Sequence, residues 1–171
     1  MTTNFDQIIN RYHTNSTKWD DADYLYQAQD VLPFWVADTD FLSPAPVLAA
    51  LSERVQHGIF GYPSGRQLGF DALAAWLQKR HGWKVDPSLI ASTHGVCTAL
   101  SVAVQTFSAP GDKIIIQPPV YPPFFSVIKD NKRTVVENPL INTENGYRID
   151  FDDLAKKAAD AKILILCNPH N

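Results

Sequence analysis

Residues 113–123 read Lys-Ile-Ile-Ile-Gln-Pro-Pro-Val-Tyr-Pro-Pro, and this stretch decides the fold class. The three isoleucines do not alternate with polar residues, so they predict a strand that is buried on both faces. Such strands lie inside parallel sheets that have helices on both sides. The prolines on either side of Tyr121 stiffen the loop that follows the strand and restrict the backbone of the tyrosine. The stretch therefore predicts a parallel sheet with a rigid aromatic loop at one edge.

Strands and helices alternate through the rest of the second half of the chain. The predicted strands cover residues 89–93, 113–117, 133–137 and 162–166, and the predicted helices cover residues 95–107, 122–131 and 151–159. The helix at 95–107 is apolar nearly all round, which predicts that it is buried. Asp150 is placed to cap the last helix. This alternation implies right-handed crossovers and a largely parallel sheet, so the predicted fold class is α/β.

The N-terminal part has a different pattern. Residues 1–30 are polar and aromatic without clean periodicity and predict an extended arm. A first helix is predicted from a Ser43 cap to Gly58, and a second from about residue 67 to residue 80. Their predicted buried positions are Leu48, Leu51 and Val55 in the first helix, and Leu73, Trp76 and Leu77 in the second. We therefore assign residues 1–42 to an N-terminal arm and residues 43–171 to the main domain.

Composition excludes several classes of function. The net charge is −3 and no basic cluster is interleaved with aromatic residues, which argues against nucleic-acid binding. The N-terminus lacks a basic region followed by an apolar stretch, and no apolar run reaches the roughly 20 residues of a membrane span. The two cysteines do not form a disulfide framework, and the five histidines lack metal-ligand spacing. We expect a cytoplasmic protein without a metal site and without a nucleic-acid or membrane partner.

Three predicted strands end in segments that could carry chemistry, because ligands bind at the carboxyl edge of open α/β sheets. Gly95 precedes a helix whose first amides could hold a phosphate, although a plain tight turn is the favoured interpretation. Tyr121 could stack on a flat ligand or serve as a core aromatic, and both interpretations stay open. Asn171 closes an Asn-Pro-His-Asn segment, where its amide could donate to a ligand oxygen or simply belong to a turn.

The order and spacing of these three segments resemble the large domain of fold-type I enzymes that use pyridoxal phosphate, in the aminotransferase class I and II superfamily. Two further stretches carry the resemblance: Leu-Pro-Phe-Trp-Val-Ala-Asp-Thr-Asp-Phe at 32–41 and His-Gly-Ile-Phe-Gly-Tyr at 57–62. The Ala-Asp-Thr-Asp-Phe run at 37–41 favours the cystathionine β-lyase branch of the MalY/PatB type. The resemblance covers nearly the whole chain, which implies the N-terminal part of a fold-type I large domain, with a mainly parallel sheet and flanking helices.

The resemblance implies pyridoxal 5'-phosphate as the cofactor and assigns roles to individual residues. The amides of Gly95, Val96 and Cys97 hold the cofactor phosphate at the start of a helix. Tyr121 stacks on the pyridine ring. Asn171 donates to the phenolic oxygen of the ring and helps to set the pKa of the imine.

Further implied roles concern the edges of the site. Tyr62 reaches across a dimer interface to the phosphate of the neighbouring subunit, and the backbone near Ala37 lies by the substrate carboxylate. His94 occupies a position where relatives often have proline, which should change the stiffness of the loop rather than the chemistry.

The implied function of the full-length parent is a carbon–sulfur β-lyase. It acts as a homodimer on a small-molecule sulfur amino acid and yields pyruvate, ammonia and a thiol. An aminotransferase of the same superfamily and a non-catalytic truncated product are the alternatives. No lysine of this chain suits the Schiff base, so we expect that lysine beyond Asn171 and no catalytic residue within the chain. By itself the chain should be inactive and poorly soluble.

Overall fold

The computed structural model describes residues 4–28, 31–62, 64 and 69–171. Contacts between Cα atoms divide the chain into two compact units, residues 1–66 and residues 67–171. The helix predicted after Ser43 belongs to the first of these units. The predicted boundary between an N-terminal arm at residues 1–42 and the main domain at residues 43–171 remains a prediction.

The described part of the first unit contains helices α1 (Thr17–Asp20), α2 (Ala22–Tyr26) and α3 (Ala45–His57). The first two helices correct the prediction of a wholly extended arm. Asp20 organises this region, because its carboxylate accepts backbone N–H bonds from His13 at 2.8 Å, Thr14 at 3.1 Å and Ser16 at 3.0 Å. A carboxylate that bonds backbone amides several residues away leaves no periodic trace in the sequence, which is why the arm appeared extended.

The sequence predicts the end of helix α3 correctly but not the residue that caps its start. The predicted Ser43 cap is wrong, since Pro44 occupies the N-cap position and no side chain caps the helix. Proline suits this end because it lacks an N–H group that would need an acceptor. Gly58 ends the helix as predicted, with a left-handed φ of 75° and its N–H bonded to Val55 O at 3.1 Å. The predicted apolar stripe is exposed in this unit, so its predicted burial is not observed.

In chain order, the described part of the second unit contains α4 (Phe70–His81), a 3-10 helix (Pro87–Leu89), α5 (Val96–Phe107), β1 (Lys113–Ile116), α6 (Pro123–Asp130), β2 (Thr134–Glu137), β3 (Ile141–Thr143), β4 (Gly146–Arg148), α7 (Phe151–Ala158) and β5 (Ile163–Leu164). The β3–β4 hairpin was not predicted. None of the helices described in either unit is long and apolar enough to cross a bilayer.

Strand β1 lies at the centre of a parallel sheet with the order β2-β1-β5. Ile115 is in register with Val136 of β2 and with Leu164 of β5. All three isoleucines of β1 are buried, which confirms the predicted central parallel strand. The core forms where the sheet meets α5 and α6, and it consists of Val104, Ile114, Ile116, Phe124, Val127, Ile128 and Ile165.

The predicted strand at residues 89–93 is not formed. Asp86 accepts the N–H of Ser88 at 2.9 Å and caps the 3-10 helix, which takes up the start of the predicted strand. The sheet pairs β1 on both sides with β2 and β5, and residues 89–93 have no partner strand in the described part of the chain. A strand needs a neighbour to accept its ladder hydrogen bonds, so an apolar run alone is not sufficient.

Helix α5 is only half buried, contrary to the prediction. Val104 is 1% exposed, whereas Val96 is 74% and Phe107 is 66% exposed. The core-facing side of the helix also borders an apolar cavity of about 390 Å³, which Val104, Phe107 and residues of β5 line. In α4, Leu73 and Trp76 are likewise exposed rather than buried. Helix-period patterns predicted these helices correctly, but burial depends on what packs against each face.

Candidate functional site

The candidate site lies where β1 and β5 end. These neighbouring strands are parallel, and the Ile165 N–H extends their pairing by donating to the Ile115 carbonyl at 3.0 Å. Parallel neighbours release their following loops at the same edge of the sheet. The loop with Tyr121 and the segment with Asn171 therefore emerge side by side.

Two hydrogen bonds join these segments directly. The backbone N–H of Tyr121 donates to the carbonyl of Asn171 at 2.7 Å. The Nε2 atom of His170 lies 2.6 Å from the carbonyl oxygen of Pro119. The structure thus brings together two of the predicted site residues through their backbones.

The ring of Tyr121 is partly exposed and is supported by one neighbouring aromatic ring. It packs edge-to-face on Phe124, with ring centroids 5.8 Å apart and an interplanar angle of 87°. The residue remains 38% exposed. An aromatic ring that is held at one edge and open elsewhere can stack on a flat ligand, so the geometry is compatible with the predicted role.

Asn171 has a bonded backbone and an available side chain. Its N–H donates to Cys167 Sγ at 3.3 Å, which closes the turn around Pro169. Its side-chain amide forms no hydrogen bond to any residue that the structure describes. Such an amide can donate to a ligand oxygen at any pH, because it does not titrate.

Gly95 leads into the first turn of α5 with a geometry that suits an anion. Its φ of 92° and ψ of 160° lie in a region that side chains disfavour. The first helical bond runs from the Ala99 N–H to the Gly95 carbonyl at 3.3 Å. Among the described residues, the N–H groups of Val96, Cys97 and Thr98 therefore have no acceptor. The Gly95 N–H, which was also predicted to hold the phosphate, instead donates to the Thr93 carbonyl at 2.9 Å. Three free amides at a helix N-terminus fit a phosphate group.

A shared core connects this helix start with the Asn171 segment. Cys97 in the first turn of α5 and Cys167, three residues after β5, both pack against the core cluster. Both cysteines are free. The common use of Gly95, Val96, Cys97, Tyr121 and Asn171 by one cofactor remains a prediction. Tyr62 lies in the first unit with a fully exposed side chain, and its role across a subunit interface also remains a prediction.

An ion-pair network in the first unit was missed by the sequence reasoning. Asp40 accepts hydrogen bonds from Arg11 at 2.7 Å, Lys18 at 2.7 Å and Trp19 Nε1 at 2.8 Å. Asp38 accepts a second bond from Arg11 at 2.7 Å. Both carboxylates are therefore held in ion pairs rather than simply solvated. The Asp-x-Asp spacing signalled paired carboxylates, but nothing in the sequence marked the partners of these aspartates.

These contacts change the acidity of the carboxyl groups. The hydrogen bonds from Lys18 and Trp19 hold the pKa of Asp40 well below its usual range. The hydrogen bond from Arg11 likewise lowers the pKa of Asp38. The network joins residues 11–19 to the segment that contains Ala37, so it stabilises one arrangement of the N-terminal arm.

A buried polar chain supports the base of the Tyr121 loop. Gln117 directly follows β1, and its amide donates to Asn138 Oδ1 at 2.9 Å. Asn138 directly follows β2 and donates from Nδ2 to Asp153 at 2.7 Å and to the Asp150 carbonyl at 3.1 Å. The positions of Gln117 and Asn138, each directly after a strand at the carboxyl edge, are the signal that could have identified the chain.

Comparisons with known proteins bear on the family. Residues 15–171 match the aminotransferase class I and II family. The chain is 49% identical over 170 residues to cystathionine β-lyase PatB of Bacillus subtilis, covering 98% of this chain and 44% of that protein. It is 30% identical over 170 residues to the protein MalY of Escherichia coli, with the same coverage.

A solved structure agrees with these relatives. Cystalysin from Treponema denticola, whose crystal structure contains a pyridoxal 5'-phosphate cofactor, superposes with a TM-score of 0.89 at 34% identity, covering 100% of this chain and 44% of that one. The chain thus spans less than half the length of the relatives that it matches. These findings confirm the predicted fold class and the resemblance to the MalY/PatB branch. The chain belongs to the aminotransferase class I and II family.

Proposed function

We propose that this chain forms the N-terminal part of a pyridoxal-phosphate-dependent carbon–sulfur β-lyase. The substrate would be a small sulfur amino acid such as cystathionine or a cysteine S-conjugate, and the products pyruvate, ammonia and a thiol. The observation that carries the proposal is the 49% identity, over 98% of this chain, to a protein named cystathionine β-lyase.

The proposed cofactor fits the residues that the structure describes. The free amides of Val96 and Cys97, behind a glycine with a left-handed φ, match the charge and hydrogen-bonding needs of a phosphate. The exposed part of the Tyr121 ring offers a flat surface for a pyridine ring. The available amide of Asn171 is a suitable donor to the phenolic oxygen.

In this proposal, the bound cofactor supplies an electron sink for charge that develops at the α-carbon of the amino acid. The residues of this chain bind and orient. Tyr121 fixes the plane of the ring, and Asn171 holds a hydrogen bond at its phenolic oxygen. We assign no catalytic residue within these 171 residues. The proposed Schiff-base lysine would lie in the part of the relatives that the chain does not span.

The test uses the full-length protein that carries this sequence. Purified protein is supplied with pyridoxal phosphate and L-cystathionine, and pyruvate is measured without any oxo-acid acceptor. Pyruvate formation at a steady rate supports the lyase. The 171-residue chain alone serves as a comparison and should form no pyruvate.

An aminotransferase is the second candidate, and it is supported by the family to which residues 15–171 belong. It predicts that turnover requires an oxo-acid acceptor and that the acceptor is converted to an amino acid. A protein that shows neither reaction and no cofactor absorbance would contradict both candidates. That result would favour the non-catalytic alternative.

We also propose that the full-length protein is a cytoplasmic homodimer in which Tyr62 contacts the cofactor phosphate of the partner subunit. The exposure of the Tyr62 side chain and the two free thiols are compatible with this proposal. Replacing Tyr62 with phenylalanine should weaken cofactor binding without changing the dimer mass in sedimentation equilibrium. A monomeric holoenzyme would contradict the proposed role.

A further inference from the structure

The loop that carries Tyr121 cannot hold itself in place. Four of the six residues at 118–123 are prolines, so only Val120 and Tyr121 have backbone N–H groups there. Neighbouring segments therefore supply most of the bonds that position the loop. Leu140 donates its N–H to the Pro118 carbonyl at 2.7 Å, on the side of β2.

On the side of β5, two bonds run in opposite directions between the loop and the Asn-Pro-His-Asn segment. The Tyr121 N–H donates to the Asn171 carbonyl at 2.7 Å, and the His170 ring bonds the Pro119 carbonyl at 2.6 Å. A carbonyl only accepts, so Nε2 of His170 carries the proton of this bond. Nε2 donates in the neutral tautomer that carries this proton and also in the imidazolium form.

We propose that His170 is a positioning residue that sets the distance and orientation of Tyr121 relative to Asn171. This proposal rests on the proposed function, in which these two residues contact opposite features of one cofactor ring. Among the described residues, three bonds join the loop to the segments that follow β2 and β5, and of these the His170 bond alone comes from a side chain. Losing it leaves a single backbone bond, about which the two segments can pivot.

Three variants of the full-length protein test the proposal. In His170→Gln, the amide nitrogen occupies the position of Nε2 and can replace the bond. In His170→Asn, the amide is too short to reach the carbonyl, and in His170→Ala the donor is lost. His81→Ala is the matched control, since His81 is an exposed histidine in the last turn of α4, away from the sheet edge.

The first measurement does not need the cofactor. Hydrogen exchange in a peptide that spans residues 118–123 reports only the amides of Val120 and Tyr121. Loss of the His170 bond should accelerate exchange at Tyr121 about threefold to tenfold, the equivalent of one net hydrogen bond. We expect this acceleration in the Ala and Asn variants and near-normal exchange in the Gln and His81 variants.

The second measurement follows the cofactor. In the Ala and Asn variants, pyridoxal phosphate should bind roughly threefold to tenfold more weakly, and the pH midpoint of its visible absorption should shift. The Gln variant should restore both, while the unfolding midpoints of all variants stay close to that of the parent. Normal exchange at Tyr121 in the Ala variant, or failure of Gln to restore it, would overturn the proposal. If the parent itself binds no cofactor, the proposed function fails, and the exchange measurement still decides the role of His170.

Discussion

Lys18 is only 8% exposed, and its Nζ atom lies 2.7 Å from a carboxylate oxygen of Asp40. The same lysine also donates to the Asp38 carbonyl at 3.1 Å, and the indole of Trp35 bonds the Lys18 carbonyl at 3.1 Å. A lysine this buried requires an anionic partner, because desolvation of an unpaired ammonium is costly. The ion pair therefore determines how the arm and the 35–40 segment are joined.

The first prediction is that the N-terminal arm loses order at acid pH. The pKa of Asp40 in the folded protein lies below its usual value of 3.8, so the carboxylate stabilises the folded state fully above that value. This stabilisation is lost as the pH falls through the folded-state pKa. Asp40→Asn should weaken the acid dependence, to which Asp38 also contributes, and leave the arm less ordered at neutral pH.

Tryptophan fluorescence provides the measurement for this first prediction. Trp76, Trp83 and any tryptophan outside residues 1–171 are replaced with phenylalanine, so that Trp19 and Trp35 report on the arm in the full-length protein. The parent should show a transition below about pH 4 whose amplitude is smaller in Asp40→Asn. Asp23→Asn, at an exposed position in α2, is the matched control and should keep the transition. The same transition in the Asp40 variant would contradict the assignment.

The second prediction concerns Asn138, which is 0% exposed. Asn138→Ala leaves the buried amide of Gln117 without its acceptor and removes one donor to Asp153, so it should cost about 1–3 kcal/mol of unfolding free energy. Urea denaturation of the full-length protein measures this cost. Asn142→Ala, at an exposed position in β3, should change stability by about 0.5 kcal/mol or less.

A pair of substitutions separates the hydrogen bond from the space that Asn138 fills. Asn138→Asp places a carboxylate beside Asp153 and should destabilise the protein. Adding Asp153→Asn restores one donor and one acceptor and should recover part of the loss. Simple additivity of the two effects would argue against direct coupling.

The third prediction is that Asp150 holds the start of α7. Its side chain accepts the Asp153 N–H at 2.9 Å, as expected of an N-cap. Asp150→Ala should cost about 0.5–2 kcal/mol in urea denaturation. Asp152→Ala removes a carboxylate from the same helical turn without removing a cap bond, so it should cost less. Equal costs would indicate an effect of charge rather than of capping.

The fourth prediction distinguishes two glycines with similar backbones. Gly95 has a φ of 92° and Gly146 has a φ of 98°, and an added Cβ would meet no atom within 4 Å at either position. Alanine should therefore cost about 1–3 kcal/mol at each position through backbone strain alone. Only Gly95→Ala should also weaken binding of pyridoxal phosphate to the full-length protein, as measured by absorbance titration. Unchanged binding would contradict the phosphate role of the α5 N-terminus.

Local signals predicted most of the second unit. The unbroken isoleucines predicted β1, the apolar residues at 95–107 predicted α5, and Asp150 predicted the start of α7. Each of these signals acts within a few residues, so it is readable from sequence alone. The Asn-Pro-His-Asn ending and the Pro-x-Tyr loop predicted the family for the same reason, since both are short and specific.

Long-range partners could not be predicted in this way. The strand expected at residues 89–93 is absent because strand formation needs a neighbouring backbone. The burial of α5 was not predictable either, because it depends on which distant segments pack against each face of the helix. The bonds from Arg11 and Lys18 to the aspartates join residues about 20 to 30 positions apart. No periodicity connects such residues.

By itself, the sequence determined the types of elements, the central parallel strand and the chemical character of the segments at the sheet edge. Only the tertiary structure decided that Tyr121 bonds Asn171, that His170 reaches Pro119 and that the buried Asn138 bonds Gln117. The physical reason is that propensities and caps are local energies of the chain, whereas these contacts exist only after β1 and β5 pair and bring distant loops to one edge.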